Sequence, residues 1–238
     1  MEAAVPGAAV FDRAEAVIAY LFDIDGTLVR AGGAGSRALA AVMQARYGVA
    51  DAARGIGFAG RTDGWIVDEL IRAALGRAPA AGEADAILAA YLAELDAELE
   101  RRPTLVVLPD ADRVLGWLAA RPEVRLGVAT GNVAAAARIK LARARLDRHF
   151  TFGGYGCDSI QRAELVARAI SRSGHGAGDT AVVVGDTIHD VAAAKDCGAL
   201  CVAVTTGGDT RATLEAAGAD VVFDRLAPIC AWHAARFT

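Results

Sequence analysis

Two aspartates stand two residues apart at the end of an apolar run. Asp23 and Asp25 belong to the segment DIDGT and follow residues 17–22, which have the apolar character of a buried strand. Alternate side chains of an extended chain point the same way, so both carboxylates are predicted to face one small volume at the carboxyl edge of the strand. Open α/β sheets bind ligands at that edge. Because two close anions repel each other unless a cation neutralises them or one keeps its proton, the pair predicts a functional site.

A second acidic segment, DTIHD, follows the apolar run 181–185. It brings Asp186 and Asp190 to the edge where the first pair is expected. Mg²⁺ prefers carboxylate and carbonyl oxygens and usually keeps several waters, so acids from two strands suffice to predict a magnesium site. The alternative is local: Asp186 or Thr187 would cap the next helix and Asp190 would interact with the helix dipole. This segment alone leaves both interpretations open.

A third segment, TGN, ends the apolar run 124–129. The Thr130 hydroxyl can donate a hydrogen bond. The main-chain amides of Gly131 and Asn132, at the start of a predicted helix over 133–144, can hold an anion such as phosphate. An ordinary strand-to-helix connection is the alternative for this turn taken by itself.

Six short apolar runs alternate with helical segments and predict an α/β fold, in which a parallel, Rossmann-like sheet has helices on both faces. The predicted strands are 17–22, 124–129, 150–152, 181–185, 200–204 and 220–223. Residues 153–156, rich in glycine, are predicted to be a loop.

The region between the first two strands breaks this pattern. Three helices are predicted there, at 36–47, 62–75 and 83–100, and no strand. We therefore expect an all-helical insertion, residues 31–103, in a core made of residues 1–30 and 104–238. The glycine-rich segment 31–35 and the prolines at 103 and 109 predict flexible joints at the two ends of the insertion. A phosphate-binding loop is the alternative for residues 31–35, but the patterns GxxxxGK[ST] and GxGxxG are both missing there.

Composition limits the classes of partner. The net charge of −4 argues against nucleic acid, which is bound through clustered lysine and arginine, and favours a small-molecule ligand. The apolar runs are shorter than the roughly 20 residues of a membrane span. Acidic Glu2, with Asp12 and Arg13 among the apolar residues that follow, does not fit a signal peptide, and the four cysteines form no metal-binding spacing. We expect a cytoplasmic protein with no membrane partner; its oligomeric state is not predicted.

Taken together, the three strand ends resemble the haloacid dehalogenase superfamily, in which DxDGT, a Thr or Ser, a Lys or Arg, and GDxxxD occur in this order. The match spans nearly the whole chain. The position of the helical insertion resembles the C1 cap of that superfamily, and the whole looks most like phosphoglycolate phosphatase-type members. The resemblance implies a Mg²⁺-dependent phosphatase that acts on a small phosphorylated metabolite.

The resemblance also implies residue roles. Asp23 would be the nucleophile that forms an aspartyl-phosphate, and Asp25 the general acid and base. Asp23, the backbone carbonyl of Asp25 and Asp186 would hold Mg²⁺, with Asp190 acting directly or through water. Thr130, with Gly131 and Asn132, would contact phosphate. The acid at position 25 favours phosphate esters, because dehalogenase members lack it.

A cation that spans nucleophile and phosphate is also expected. Lys140 lies in the helix after Thr130, which is early for this role. Arg162 lies where the cation of the superfamily falls and is assigned to it, since a guanidinium can clamp phosphate with two hydrogen bonds. The alternative is a solvated arginine at a helix start.

The segment GRTD, residues 60–63, resembles the specificity loop that C1 members lower over the site. Arg61 and Thr62 are therefore candidate substrate-binding residues: Arg61 for a carboxylate or second phosphate, Thr62 also as a helix cap. A surface charge is the alternative for Arg61, and His189 is expected on a helix surface. Two other functions stay open, a phosphomutase of the same superfamily and a non-catalytic binding or regulatory protein.

Overall fold

A six-stranded parallel sheet forms the centre of the computed structural model, which describes residues 16–237. The strands lie in the order β5-β4-β1-β6-β7-β8, and every neighbouring pair is parallel. They are β1 (Ile18–Phe22), β4 (Val124–Ala129), β5 (Phe152–Gly154), β6 (Thr180–Gly185), β7 (Leu200–Val204) and β8 (Val221–Phe223). The predicted α/β fold is confirmed.

Helices cover both faces of this sheet. The nine α-helices of the described residues are α1 (Ala34–Tyr47), α2 (Asp63–Leu75), α3 (Glu83–Arg101), α4 (Ala111–Ala119), α5 (Ala134–Ala144), α6 (Arg162–Arg172), α7 (Ile188–Asp196), α8 (Arg211–Ala217) and α9 (Ile229–Phe237). Tyr20 and Phe22 of β1 share a buried cluster with residues of α4, α5 and α9, whereas Leu21 shares one with residues of α6, α7 and α8. Alternate residues of the central strand thus face opposite layers, as the pleat of a strand requires.

The strand β5 differs from its prediction. The pattern placed a strand at 150–152 and a loop after it, but the strand runs from Phe152 to Gly154. The reason is the close packing of α6: a β-carbon on Gly154 would lie 1.8 Å from the carbonyl oxygen of Leu165. The glycines therefore allow a helix to approach the strand and do not signal a turn.

The three helices α1, α2 and α3 lie between β1 and β4 in the chain and pack around a core of their own. Leu39, Leu70 and Leu95 are fully buried in it, and Val133 and Ala136 beside the start of α5 join it from the sheet side. We interpret residues 31–103 as an inserted helical unit that rests on α5.

The connections to the helical unit are hydrogen-bonded, although the sequence predicted flexible joints. A second, antiparallel sheet joins β2 (Val29–Arg30) to β3 (Val106–Val107) at the two crossings. The Thr104 hydroxyl also donates to the carbonyl oxygen of Ala31 at 2.9 Å. The two-residue strands were missed because they are too short to show any periodicity.

No helix within residues 16–237 is long and apolar enough to cross a membrane. Glu2, Asp12 and Arg13, on which the expectation about a signal peptide rests, lie outside the described residues.

Replacement of Gly154 tests the contact between α6 and β5. Because the added methyl group meets the backbone of α6, we expect Gly154→Ala to lower the free energy of unfolding by at least about 1 kcal/mol. Chemical denaturation measures this change. Gly57→Ala is the matched control, since a β-carbon there meets nothing within 4 Å and the loss should be small. Equal stability of the two variants would contradict this packing.

Candidate active site

The carboxyl ends of β1, β4 and β6, three neighbouring strands, bring together side chains that are far apart in the sequence. A cavity of about 510 Å³ lies at this edge, between the sheet and the helical unit. Eight of the predicted site residues line it: Asp23, Asp25, Arg61, Thr130, Gly131, Asn132, Arg162 and Asp186. Of the other two, Asp190 lies behind Arg162, and Thr62 faces the seam between the helical unit and the loop before α6.

Three buried carboxylates form a cluster at one side of this cavity. Asp23, Asp186 and Asp190 each offer an oxygen, and these oxygens lie within 4.8 Å of one another. Burial, together with the charges of Asp23 and Asp190, raises the pKa of Asp186 to about 8. Burial likewise raises the pKa of Asp23 to about 6, although Arg162 opposes the rise. The cluster therefore has more negative charge than its surroundings balance, and a divalent cation with a preference for oxygen fits it.

Gly26 and Thr27 of the DIDGT segment position Asp186. Gly26 has a φ of +87°, and a β-carbon on it would lie 2.4 Å from the Asp186 carboxylate. The Thr27 hydroxyl donates to Oδ1 of Asp186 at 2.9 Å, and the Gly208 amide donates to Oδ2 at 3.3 Å. No individual role was predicted for Gly26, Thr27 or Gly208; the first two belong to the DGT that ends the DIDGT segment, which was the available signal for them.

Arg162, the first residue of α6, lies inside the acidic cluster. Its Nη2 is 3.0 Å from Oδ1 of Asp23 and 2.6 Å from Oδ1 of Asp190. The side chain is only 8% exposed, so the alternative of a solvated arginine is wrong. Burial disfavours its charge, but Asp190 and Asp23 outweigh this effect and raise the pKa of the guanidinium. Arg162 thus joins the candidate nucleophile to the last motif.

Asp190 has two roles at once. Its Oδ2 accepts hydrogen bonds from the amide and the hydroxyl of Thr187, at 3.0 and 2.7 Å, which makes Thr187 the cap of α7. Its Oδ1 accepts from Arg162. The helix-cap interpretation is therefore correct for Thr187, and Asp190 belongs to the cluster as well. Both oxygens of Asp190 already have protein partners, which favours contact with a cation through water.

Asp25 faces different partners from Asp23. Its Oδ2 is 2.5 Å from the ammonium nitrogen of Lys140 and 2.9 Å from Nδ2 of Asn132. The sequence did not assign Lys140 to the site, because it lies early in the chain for the cation of the superfamily; in the structure it lies almost two turns into α5. Long helical side chains point back towards the N-terminal end of their helix, so the ammonium group reaches the site from that position. This reach depends on tertiary structure and left no motif to recognise.

The TGN turn differs in detail from its prediction. The amide of Asn132 donates within the turn, to the Thr130 hydroxyl oxygen at 3.3 Å, instead of being a free anion donor. The Asn132 side chain also donates to that oxygen, at 2.8 Å. Thr130 is fully buried, and its hydroxyl is positioned by these two bonds. Asn132 therefore contributes mainly through its side chain.

The GRTD loop is in contact with the core. Thr62 caps α2 by accepting from the Trp65 amide at 3.3 Å, and the Gly60 carbonyl accepts from Arg162 at 3.2 Å. Asp63, which sequence reasoning missed, donates through its amide to the Gly131 carbonyl and accepts from the Val133 amide, both at 2.8 Å. These bonds hold the helical unit against the TGN turn.

Two neighbours of this loop have distinct environments. The Arg61 guanidinium is exposed and lies 4.4 Å from the centre of the Trp65 ring, at the rim of the cavity. His189 is half-buried in the seam beside Gly60, not on an open helix surface as expected. Burial, then Arg61 and Arg162, lower its pKa. His189 does not line the cavity that Asp23, Asp25 and Asp186 line.

A protein-family model described as haloacid dehalogenase-like hydrolase matches residues 18–198. This range contains both acidic motifs, the TGN turn, Lys140 and Arg162. A search among curated proteins finds no match to the chain.

Solved structures show the same fold at low sequence identity. A hydrolase from Pseudomonas syringae is 22% identical, with a TM-score of 0.67 and coverage of 93% of this chain and 99% of its own. A predicted phosphatase from Clostridium acetobutylicum is 15% identical, with a TM-score of 0.69 and coverage of 93% and 100%. A protein from Bacteroides vulgatus, provisionally named β-phosphoglucomutase, is 20% identical, with a TM-score of 0.68 and coverage of 92% and 88%.

Metal binding by the acidic cluster can be tested without an assay of activity. We expect Mg²⁺ to raise the thermal midpoint of the wild-type protein, because a ligand that binds only the folded state stabilises it. In Asp186→Asn the affinity measured by calorimetric titration should fall at least about 10-fold, since even outer partners of metal ligands contribute that much. The exposed Asp147, beyond the far end of α5, supplies the control Asp147→Asn. Equal Mg²⁺ affinity in Asp186→Asn and wild type would contradict the assignment.

Proposed function

The chain belongs to the haloacid dehalogenase-like hydrolases, and on that premise we propose that it is a Mg²⁺-dependent phosphatase of small phosphorylated metabolites. One observation carries the proposal: two carboxylates in one cavity have separate cationic partners. Asp23 is paired with Arg162, and Asp25 with Lys140. A nucleophile and a general acid need such different environments if they are to act at the same phosphorus.

Asp23 is the proposed nucleophile. Its carboxylate oxygen attacks phosphorus while the bond from phosphorus to the leaving oxygen breaks, and an aspartyl-phosphate forms. Arg162 holds Oδ1 of Asp23 and lies close enough to stabilise negative charge on the transferred group. The Thr130 hydroxyl and the Gly131 amide, which line the same cavity, are the candidate contacts of the phosphate.

Asp25 is the proposed general acid and base. It gives a proton to the leaving oxygen in the first step. In the second step water attacks the phosphorus of the aspartyl-phosphate, and Asp25 takes a proton from that water. Inorganic phosphate leaves, and Asp23 returns to its starting carboxylate.

The acidic cluster supplies ligands for Mg²⁺. Asp23 and Asp186 are the proposed carboxylate ligands, with the backbone carbonyl of Asp25, and Asp190 acts through water because its oxygens are engaged. When bound, the ion offsets the repulsion between a carboxylate and a phosphate dianion. Asp186 keeps its orientation through Thr27 and Gly208, independently of the substrate.

The cavity and its rim limit the substrate. A volume of about 510 Å³ beneath the GRTD loop suits a small metabolite, and Arg61 at the rim is the candidate contact for a carboxylate or second phosphate. Phosphoglycolate is one metabolite of this kind.

The four cysteines are free thiols, which supports the proposal of a reducing, cytoplasmic compartment.

A phosphomutase is the second candidate, because the Bacteroides vulgatus structure named for that activity has the same fold. Such an enzyme would return the phosphoryl group to a sugar instead of water. Steady release of phosphate from a monoester, with no sugar bisphosphate added, would favour the phosphatase. A protein that binds phosphorylated ligands but releases no phosphate would fit the non-catalytic alternative.

Substitution of the two aspartates tests the mechanism. With Mg²⁺ and a panel of phosphorylated metabolites, we expect Asp23→Asn to lower kcat at least about 10³-fold, since no nucleophile remains. Asp25→Asn should lower it by about 10²–10⁴-fold, the usual contribution of a general acid or base. Phosphate release measures both, with Asp147→Asn as the control. Activity of Asp23→Asn equal to that of wild type would exclude the mechanism.

The role of Arg162 has its own test. We expect Arg162→Ala to lower kcat at least about 10²-fold, because a preorganised charge beside the transferred group is lost. Arg162→Lys keeps the charge without the two-pronged geometry and should lie between Arg162→Ala and wild type. Thermal unfolding shows whether each variant folds. Near-normal kinetics of folded Arg162→Ala would move the phosphate-binding role to another residue.

A further inference from the structure

Lys140 is a buried lysine that none of the four motifs includes. Its side chain is 6% exposed, and the chain has one other lysine, Lys195, which is exposed and bonds to the carbonyl oxygen of Ala217. A buried ammonium group is costly unless it is paired and hydrogen-bonded. The partners of Lys140 therefore indicate its purpose.

Lys140 and its partner Asn132 both donate hydrogen bonds to one oxygen, Oδ2 of Asp25. The ammonium nitrogen lies 2.5 Å from Oδ2 of Asp25 and 2.6 Å from Oδ1 of Asn132. Nδ2 of the same Asn132 donates to Oδ2 of Asp25 at 2.9 Å. Within residues 16–237, each hydrogen bond and ion pair of the Asp25 side chain falls on Oδ2. Its Oδ1 is left for the cavity, which Asp25 lines.

The two cations of the site have different partners and come from helices on opposite faces of the sheet. Arg162 is occupied by Asp23 and Asp190, on the side of α6 and α7. Lys140 comes from α5, on the other face of the sheet, and its charge also acts on Asp63 of the helical unit, where it opposes the effect of burial on the pKa of that carboxyl. Neither cation can replace the other, because they reach the cavity from opposite layers.

We propose that Lys140 is a positioning residue for proton transfer: with Asn132 it holds Oδ2 of Asp25 so that Oδ1 faces the leaving oxygen of the substrate. The inference rests on the proposed phosphatase function. In the first step the Oδ1–H bond of Asp25 breaks, a bond from that proton to the leaving oxygen forms, and the phosphorus–oxygen bond breaks. The electron pair that stays on Asp25 makes a carboxylate, which the ammonium group stabilises. The second step returns a proton from water to the same carboxylate.

Leaving-group dependence distinguishes this role from a purely structural one. Dinitrophenolate leaves without a proton, whereas the alkoxide of glycerol phosphate needs one. The ratio kcat/KM reports the steps up to aspartyl-phosphate formation. In Lys140→Met we expect kcat/KM for glycerol phosphate to fall at least about 10²-fold, the scale of general acid catalysis, and kcat/KM for dinitrophenyl phosphate to change less than about threefold.

The controls use the same two esters. Lys195→Met should match wild type on both, because Lys195 donates to the Ala217 carbonyl at the end of α8 and does not line the cavity. Asp25→Asn should show the same selectivity as Lys140→Met, and the double variant should lose little more than Asp25→Asn, since both changes remove one function. Lys140→Arg keeps the charge, so partial recovery of glycerol phosphate hydrolysis is expected. Thermal unfolding shows whether each variant folds.

Three results would contradict either the role of Lys140 or the proposed phosphatase function. If folded Lys140→Met keeps the wild-type ratio of kcat/KM between the two esters, whether or not both values fall, Lys140 does not position the acid. If Lys140→Met does not fold, the same ratio measured in Lys140→Gln decides, and a wild-type ratio there excludes the positioning role. If the wild-type protein hydrolyses neither ester with Mg²⁺, the proposed phosphatase function itself fails.

Discussion

Four carboxylates gathered at one edge of a parallel sheet are the constraint on which the rest of this site depends. Asp23, Asp25, Asp186 and Asp190 repel one another, and three of the four are buried. The protein supplies one cation from each face of the sheet: Arg162 for Asp23 and Asp190, and Lys140 for Asp25. Among residues 16–237, Asp186 is paired with hydrogen-bond donors and with no cation, and this is where a divalent cation would restore the balance.

The sheet makes this arrangement possible. β1 lies between β4 and β6, so the DIDGT segment emerges between the TGN turn and the last acidic motif. Alternate residues of β1 pack against opposite helical layers, which fixes the register of the strand and hence the position of Asp23. The close approach of α6 to Gly154 then sets the height at which Arg162 enters the site. Backbone packing behind the site thus helps to determine which charges meet.

The sequence predicted the parts of the site that follow apolar strands. Asp23, Thr130 and Asp186 each come directly after such a run. Because the carboxyl ends of parallel strands lie at the same edge of a sheet, these three residues could be placed together from the sequence. Lys140 and Asp63 could not be found in this way, because their roles depend on how far a side chain or loop reaches in the folded chain. The β2–β3 ribbon and the shift of β5 were missed for a related reason: pairing and helix approach, not local periodicity, define these short strands.

The proposed mechanism requires that the phosphoryl group passes through Asp23 during turnover. Rapid quenching of Asp25→Asn with a dinitrophenyl phosphate and Mg²⁺, followed by mass spectrometry of peptides, locates that group. The account predicts one phosphoryl group on the peptide that contains Asp23, and on that residue. Release of inorganic phosphate by the wild-type protein with no phosphorylated peptide in either protein, or a phosphoryl group on another residue, would contradict it.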